Sequence, residues 1–331
     1  MSDGTSAADE EAMKPDFARL FTLLLASSSL AACSSLGETH DSGENCKNVP
    51  AEGTETIDLT GKSFACEADA GADAGGAVGI DTNACTCEAV CNELRKQPAN
   101  SCRFLSSTSV ECTFPQTCPG GRKPELLVAP RLPLTDRRTT FLLGCAHMEA
   151  ASVVAFERLA VEMSALGAPD SLLERLHGAA ADEVRHGRDV LALAGNHPMP
   201  HVDAPSPGQR SAFAVALENA REGCVRETFA ALIARRQAAT ARDVTVRSVM
   251  TTIAADETRH AELSWELASW LEGQLDPSER AALSAARVSE AAVLRAEIAS
   301  GGLLEDADLG LPGAREAVAL LDGLFGAQGI H

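Results

Sequence analysis

The 331-residue chain contains no tyrosine, only two tryptophans and ten phenylalanines. Chemistry that runs through a tyrosyl radical is therefore excluded. Base is scarce as well: 28 Lys and Arg stand against 47 Asp and Glu, for a formal net charge of −19. That balance argues against nucleic acid and against an anionic membrane surface as partners. Eleven cysteines are present, but the paired Cys-x-x-Cys knuckles of a zinc ribbon are not, and Cys85-x-Cys87-x-x-x-Cys91 has no second half. What the chain does have is 45% hydrophobic residues, enough for one sizeable core and something smaller.

Residues 13–33 read as a bacterial secretion signal, in which Lys14 and Arg19 precede an apolar stretch, Leu20 to Leu25, that ends in Leu30-Ala31-Ala32-Cys33. The ending resembles a lipobox. The resemblance implies cleavage before Cys33, acylation of that cysteine, and an exported protein held by a lipid anchor on a membrane of the bacterial cell envelope. Met13 starts such a signal better than Met1, whose lead-in carries Asp3, Asp9, Glu10 and Glu11. The alternative is an apolar N-terminal helix of the folded protein, since the run is too short to span a bilayer.

Export changes how the cysteines read. Cys46, Cys66, Cys85, Cys87, Cys91, Cys102, Cys112 and Cys118 fall in one stretch, and an even count in an oxidising compartment suggests four disulfides in a loop-rich module over 46–120. Linkers at 34–45 and 121–138 flank it. Cys145 and Cys224 lie beyond the module and are expected as buried free thiols or as a single disulfide.

From about residue 139 apolar positions recur at threes and fours. Four amphipathic helices are predicted near 139–166, 171–194, 207–237 and 243–272, with a fifth from Asp276 to about Ser300 and a short last one over Gly313 to Phe325. Ser171 with Glu174, Ser206-Pro207 with Gln209, and Asp276-Pro277-Ser278-Glu279 are the expected caps of the second, third and fifth. Short loops make helices one and two, and helices three and four, antiparallel neighbours. Residues 195–206 differ: extended, they reach roughly 40 Å, enough to run the length of a helix of roughly 33 Å. Two hairpins joined by one long crossover follow.

Ala180-Ala-Asp-Glu-Val-Arg-His186 returns 74 residues later as Ala254-Ala-Asp-Glu-Thr-Arg-His260, six of seven residues identical. Residues i and i+3 share a helix face, so Glu183 with His186, and Glu257 with His260, can each aim a carboxylate and an imidazole at one point. A lone Glu-x-x-His is usually a solvated face; its duplication is what carries weight. Sliding the third helix onto the first by 73 residues pairs Glu149 with Glu222, Phe156 with Phe229 and Leu159 with Leu232. Both acids then lie level with the second-helix Glu of their own hairpin, on apolar stripes. Four carboxylates converging there would repel one another unless a pair of divalent ions joined them.

The candidate metal ligands are thus Glu149, Glu183, His186, Glu222, Glu257 and His260. Glu227, 30 residues before Glu257, is the reserve for Glu222, from which it faces about 140° away on a regular α-helix. Glu157 is the reserve for Glu149. His147 is expected to be exposed, His177, His197 and His201 are assigned no role, and Trp265 and Trp270 are expected to pack the core or the fifth helix.

Glu149, Glu183-x-x-His186, Glu222 and Glu257-x-x-His260 resemble the six-ligand pattern of ferritin-like di-iron carboxylate proteins, which include rubrerythrins, bacterioferritins and di-iron oxygenases. The resemblance covers roughly 139–272. It implies a mainly α fold, a ferritin-like four-helix bundle with extra C-terminal helices in 273–331, preceded by the disulfide-rich module. It also implies two iron ions, with manganese or zinc as alternatives, Glu183 and Glu257 bridging them and each His binding one. Asp182 and Asp256 would accept a hydrogen bond from a ligand His, preferably across the hairpins. The implied activity is an oxidoreductase using oxygen or peroxide on a small-molecule substrate, with substrate and electron donor unnamed. Glu222-Gly-Cys-Val-Arg-Glu227 and Asp256-Glu-Thr-Arg-His260 also resemble ferritin-like proteins of bacterial lipoprotein type. Without rubredoxin-type knuckles the electron relay of a rubrerythrin is absent, and a storage cage does not suit an anchored chain with a disulfide module. Non-catalytic metal scavenging, or an interaction lipoprotein, are the alternative functions.

Overall fold

In the computed structural model the described residues are 16–31, 53–60, 86–87, 89–91, 101–114, 118–119, 121–128, 136–195, 197–204, 208–300 and 303–330. Cys33, Cys46, Cys66, Cys85 and the expected cap at Ser206 and Pro207 lie outside them. The chain is mainly helical with a small disulfide-rich region near its N-terminal end.

That region is an antiparallel sheet of β1 (Gly53–Asp58), β2 (Ser101–Ser106) and β3 (Ser109–Phe114) in the order β1-β3-β2. A tight turn joins β2 to β3 and pairs Cys102 with Cys112 across the strands. The two cysteines leave the sheet in disulfides with Cys87 and Cys91. Leu59, Val90 and Val110 fill the space beneath them. A core this small cannot offset the entropy of its own chain, and cross-links supply the difference.

Cys118, expected inside the module, instead pairs with Cys145 of the helical part. Connectivity depends on approach in space, which spacing does not encode. Cys224 is a buried free thiol, pushed up to about 11 by burial.

The helical part opens with α1 (Phe17–Ala31), followed by α2 (Arg137–Ala165) and α3 (Asp170–Leu193), a hairpin closed by Gly167 at φ +83°. A second hairpin runs through α4 (Ala212–Glu218), a π-helical stretch (Asn219–Glu227) and α5 (Thr228–Thr240) into α6 (Val244–Glu272). Asp136 caps α2 by accepting from Thr139 N at 3.0 Å, and Asp243 caps α6 through Thr245 and Val246. The third helix starts at Ala212, with Ser211 as its cap, rather than at 207. Nor does Ser171 cap α3, which begins one residue after Pro169 without a side-chain cap. Crossover residues 197–204 lie over the first hairpin, where Met199 fills the space beside Gly187.

The four long segments meet in two apolar clusters. Phe156, Leu159, Met163, Leu176, Val215 and Leu267 belong to one; Leu142, Val190, Leu232, Met250 and Ile253 belong to the other. Between the two clusters lies a buried polar layer. α7 (Pro277–Ala299), started by an Asp276–Glu279 capping box, covers the π-helical stretch, and α8 (Ala314–Ala327) packs on α7 and α1. α2 is long and apolar enough to cross a membrane, but most of it is buried in the protein. Within the segment read as a secretion signal, Phe17–Ala31 is helical, and Phe17 and Phe21 are fully buried, with the Phe17 ring 6.2 Å from the Trp265 ring.

Candidate metal centre

Six buried side chains form the polar layer: Glu149 of α2, Glu183 and His186 of α3, Glu227 at the end of the π-helical stretch, and Glu257 and His260 of α6. They fall into two overlapping groups. Glu149, Glu183, His186 and Glu257 bring one donor atom each within 4.8 Å of one another, and so do Glu183, Glu227, Glu257 and His260. Glu183 and Glu257 belong to both. His186 Nδ1 is 3.3 Å from Glu257 and 3.7 Å from Glu149 and Glu183. His260 Nδ1 is 3.1 Å from Glu183 and 4.0 Å from Glu227 and Glu257.

The outer nitrogen of each imidazole is already engaged. His186 Nε2 lies 3.1 Å from Asp256, and His260 Nε2 lies 3.3 Å from Asp182, so each aspartate serves the histidine of the other hairpin. The aspartates accept from Nε2–H, which leaves Nδ1 as the nitrogen aimed inward, the one that could ligate a metal after giving up any proton it carries. Arg185 and Arg259, also duplicated in the repeat, each bind both aspartates. Hydrogen bonds from His260 and Arg185 hold the Asp182 carboxyl far below its usual range. Although burial works to raise Asp256, His186 and the two arginines hold it down.

Inside the ring the balance reverses. Burial, and then Glu183, push Glu149 up to about 8, and burial raises Glu227 despite Arg122. For His260 burial works downward, but Asp182, Glu183 and Glu257 overcome it and lift it to about 10. His186 is raised in the same way by Glu149, Glu183 and Glu257. The carboxylates thus favour the protonated form of both histidines.

Most of the expected residues converge, and Glu222 does not. It is only half buried and stands apart from the six, accepting from the backbone N–H of Lys123 at 3.2 Å, and the reserve Glu227 takes the inward place. The cause is the π-helix. Each of its nine residues turns through less than the 100° of an α-helix, and the lag accumulates to about half a turn across the stretch. A projection on α-helical geometry therefore puts Glu227 on the wrong face. Glu157 is exposed.

The sequence misplaces one buried residue and gives no sign of another. His147 is buried, not exposed, because the crossover covers that face of α2. Arg122, on the segment that Cys118–Cys145 ties to α2, is fully buried and donates to Glu227 at 3.2 Å. Nothing in its sequence neighbourhood marks it. Trp265 packs between Phe17 and Arg287 and donates to Thr228 at 3.2 Å.

On the side of Glu149 and Glu257 a narrow cavity runs along the axis between the helices. Its walls are Phe141, Leu142, Val190, Ala230, Ala234 and Met250, with the Cys118–Cys145 disulfide at its edge, and Gln237 is its one uncharged polar side chain. No matching family model, curated protein or solved structure was found for this chain.

Proposed function

We propose that the chain is a di-metal carboxylate protein of ferritin-like four-helix type, with iron as the resident metal, that carries out oxidation–reduction with oxygen or peroxide on a small uncharged molecule. The observation that carries this reading is a cluster of buried polar atoms without hydrogen-bond partners. Thirteen buried side-chain nitrogen and oxygen atoms lack a hydrogen-bond partner among the described residues; seven of them are Glu149 Oε2, both oxygens of Glu183, His186 Nδ1, Glu227 Oε1, Glu257 Oε2 and His260 Nδ1. An unpartnered buried polar atom costs about 1–3 kcal/mol, and a charged one more. A native fold does not gather seven such atoms in one place unless something binds them.

The donor set suits a pair of divalent ions. Glu149 and His186 would hold one, Glu227 and His260 the other, with Glu183 and Glu257 shared. Carboxylate-rich ligation with imidazole favours iron or manganese. Bound there, two such ions supply redox equivalents and Lewis acidity. Asp182 and Asp256 keep both imidazoles oriented and raise their basicity. The cavity is lined mainly by apolar side chains and offers a charged molecule no partner apart from the ligands. Glu149 and Glu257 are the ligands that also line the cavity.

Three disulfides among the described residues point to an oxidising compartment, so export accords with the structure. We place the protein in the cell envelope, lipid-anchored through Cys33. Purification without oxygen, iron loading and exposure to air test the reading. Two irons per chain and a charge-transfer band on air exposure support it. Two tightly held, redox-silent ions would make the protein a metal carrier instead, and no bound metal would remove both.

A further inference from the structure

Arg122 is the largest fully buried side chain among the described residues, yet no helix carries it. It stands on an extended segment held at three points. Cys118 is bonded to Cys145, Ser152 Oγ donates to the Arg122 carbonyl at 3.1 Å, and Glu222 accepts from Lys123 N. The side chain then enters past Gly223, where any Cβ would collide with the guanidinium. Its Nη2 donates to Asn219 Oδ1 at 2.9 Å, Ser264 Oγ at 2.9 Å and Glu227 Oε2 at 3.2 Å. Its Cζ lies 5.3 Å from the centre of the Phe156 ring, which in turn packs on His260 in a T-shaped pair with ring centres 5.3 Å apart.

Ser264, whose single hydroxyl proton is shared between Glu227 Oε2 and the His260 carbonyl, each at 2.9 Å, also lies against that oxygen, and Oε1 is the oxygen that approaches His260. Glu149, the counterpart in the first hairpin, makes no ion pair with Arg or Lys among the described residues; its charged neighbours are Glu183 and His186. The aspartate–arginine pairs around the two histidines are balanced on both sides. Arg122 is therefore the element that breaks the symmetry of the repeat.

We propose that Arg122 is a positioning residue that makes the two metal positions unequal: it fixes Glu227 as a one-oxygen ligand and sets a positive charge beside the Glu227–His260 position, so that the Glu149–His186 position fills first. The proposal rests on the di-metal reading above. Two divalent ions balance four carboxylates, and Arg122 leaves one positive charge in excess on one half only. Direct Coulomb repulsion between that charge and the second ion weakens the second binding step, in a setting where little water screens it. A guanidinium that only offset the burial of Glu227 would stabilise the metal-free fold and leave the two steps alike.

Anaerobic titration of the metal-free full chain with cobalt(II), followed by absorption and calorimetry, separates these roles. The wild type should bind two ions in two steps, the second weaker by on the order of tenfold or more. In Arg122→Gln, which keeps a donor to Glu227 without the charge, the second step should tighten by on the order of tenfold and the first stay put. Arg122→Lys should keep the two steps apart. Asn219→Asp, which places a carboxylate against the intact guanidinium, should act in the same direction as Arg122→Gln and provides the answer if that variant does not fold. Equal steps in the wild type, or an unchanged ratio in both Arg122→Gln and Asn219→Asp, overturn the proposal alone. Failure of the wild type to bind cobalt overturns it together with the di-metal reading.

Discussion

His186 and His260 each commit one ring nitrogen to an aspartate and leave the other facing carboxylates, and much of the behaviour of the site follows from that division of labour. Replacing Asp256 by Ala would free the ring of His186 and leave Arg185 and Arg259 short of an anion. Metal affinity should fall about 10–100-fold, as metal analysis after dialysis would show; unchanged metal content would remove the role assigned to Asp256. Protonation gives a second test. Glu149 is raised to about 8 and His260 to about 10, so the folded, metal-free protein binds more protons than the unfolded chain across that range. Stability then falls as pH rises: the Glu149 contribution is lost between its unfolded value near 4.5 and about 8, the His260 contribution between about 6.5 and 10. The melting temperature of metal-free protein should drop from pH 6 to pH 9, and saturating metal should reverse the trend. Five of the six inward residues were legible in the sequence because a duplicated spacing on α-helices determines a face. Arg122 was not legible, since burial through a loop has no period.

At the scale of the element, the π-helical stretch decides which glutamate of the third helix faces inward. The sequence reading placed Glu222 there from a 73-residue alignment that assumes 100° per residue, and nine π-helical residues are enough to void the assumption. The wider turn also makes room for Arg122 beside Gly223. Gly223→Ala should cost about 1–3 kcal/mol, since the guanidinium, Asn219 and Ser264 all crowd that position. The drop would appear in denaturant unfolding. Glu222→Gln should leave cobalt stoichiometry at the wild-type value, whereas Glu227→Gln should abolish or weaken one step. The reverse pattern would return the ligand role to Glu222. The hairpins themselves were readable, because apolar residues at threes and fours and caps such as Asp276 are local signals. The start of the third helix at Ser211 was not, since two serines five residues apart offer equivalent caps.

Across the whole molecule the sequence separates a cross-linked region from a helical one, and the Cys118–Cys145 bond joins them beside the buried polar layer. Opening that bond by Cys118→Ser with Cys145→Ser releases a closure spanning a sequence separation of 27. It should cost about 3–4 kcal/mol by the chain-entropy relation, visible as a lower unfolding midpoint. Connectivity was beyond the sequence because only the fold brings Cys118 to α2. The N-terminal stretch was readable in two ways: as a cleaved signal ending at Cys33, or as the helix that buries Phe17 and Phe21. The mass of the protein isolated from a bacterial envelope distinguishes them, with an acylated N-terminus at Cys33 expected. The measurement that bears most directly on the whole account is anomalous diffraction from crystals of the metal-loaded protein. Two peaks roughly 3.5–4 Å apart, between Glu183 and Glu257 with His186 and His260 on either side, are the expected result. An absence of peaks there, or metal bound only outside the six residues, would contradict it.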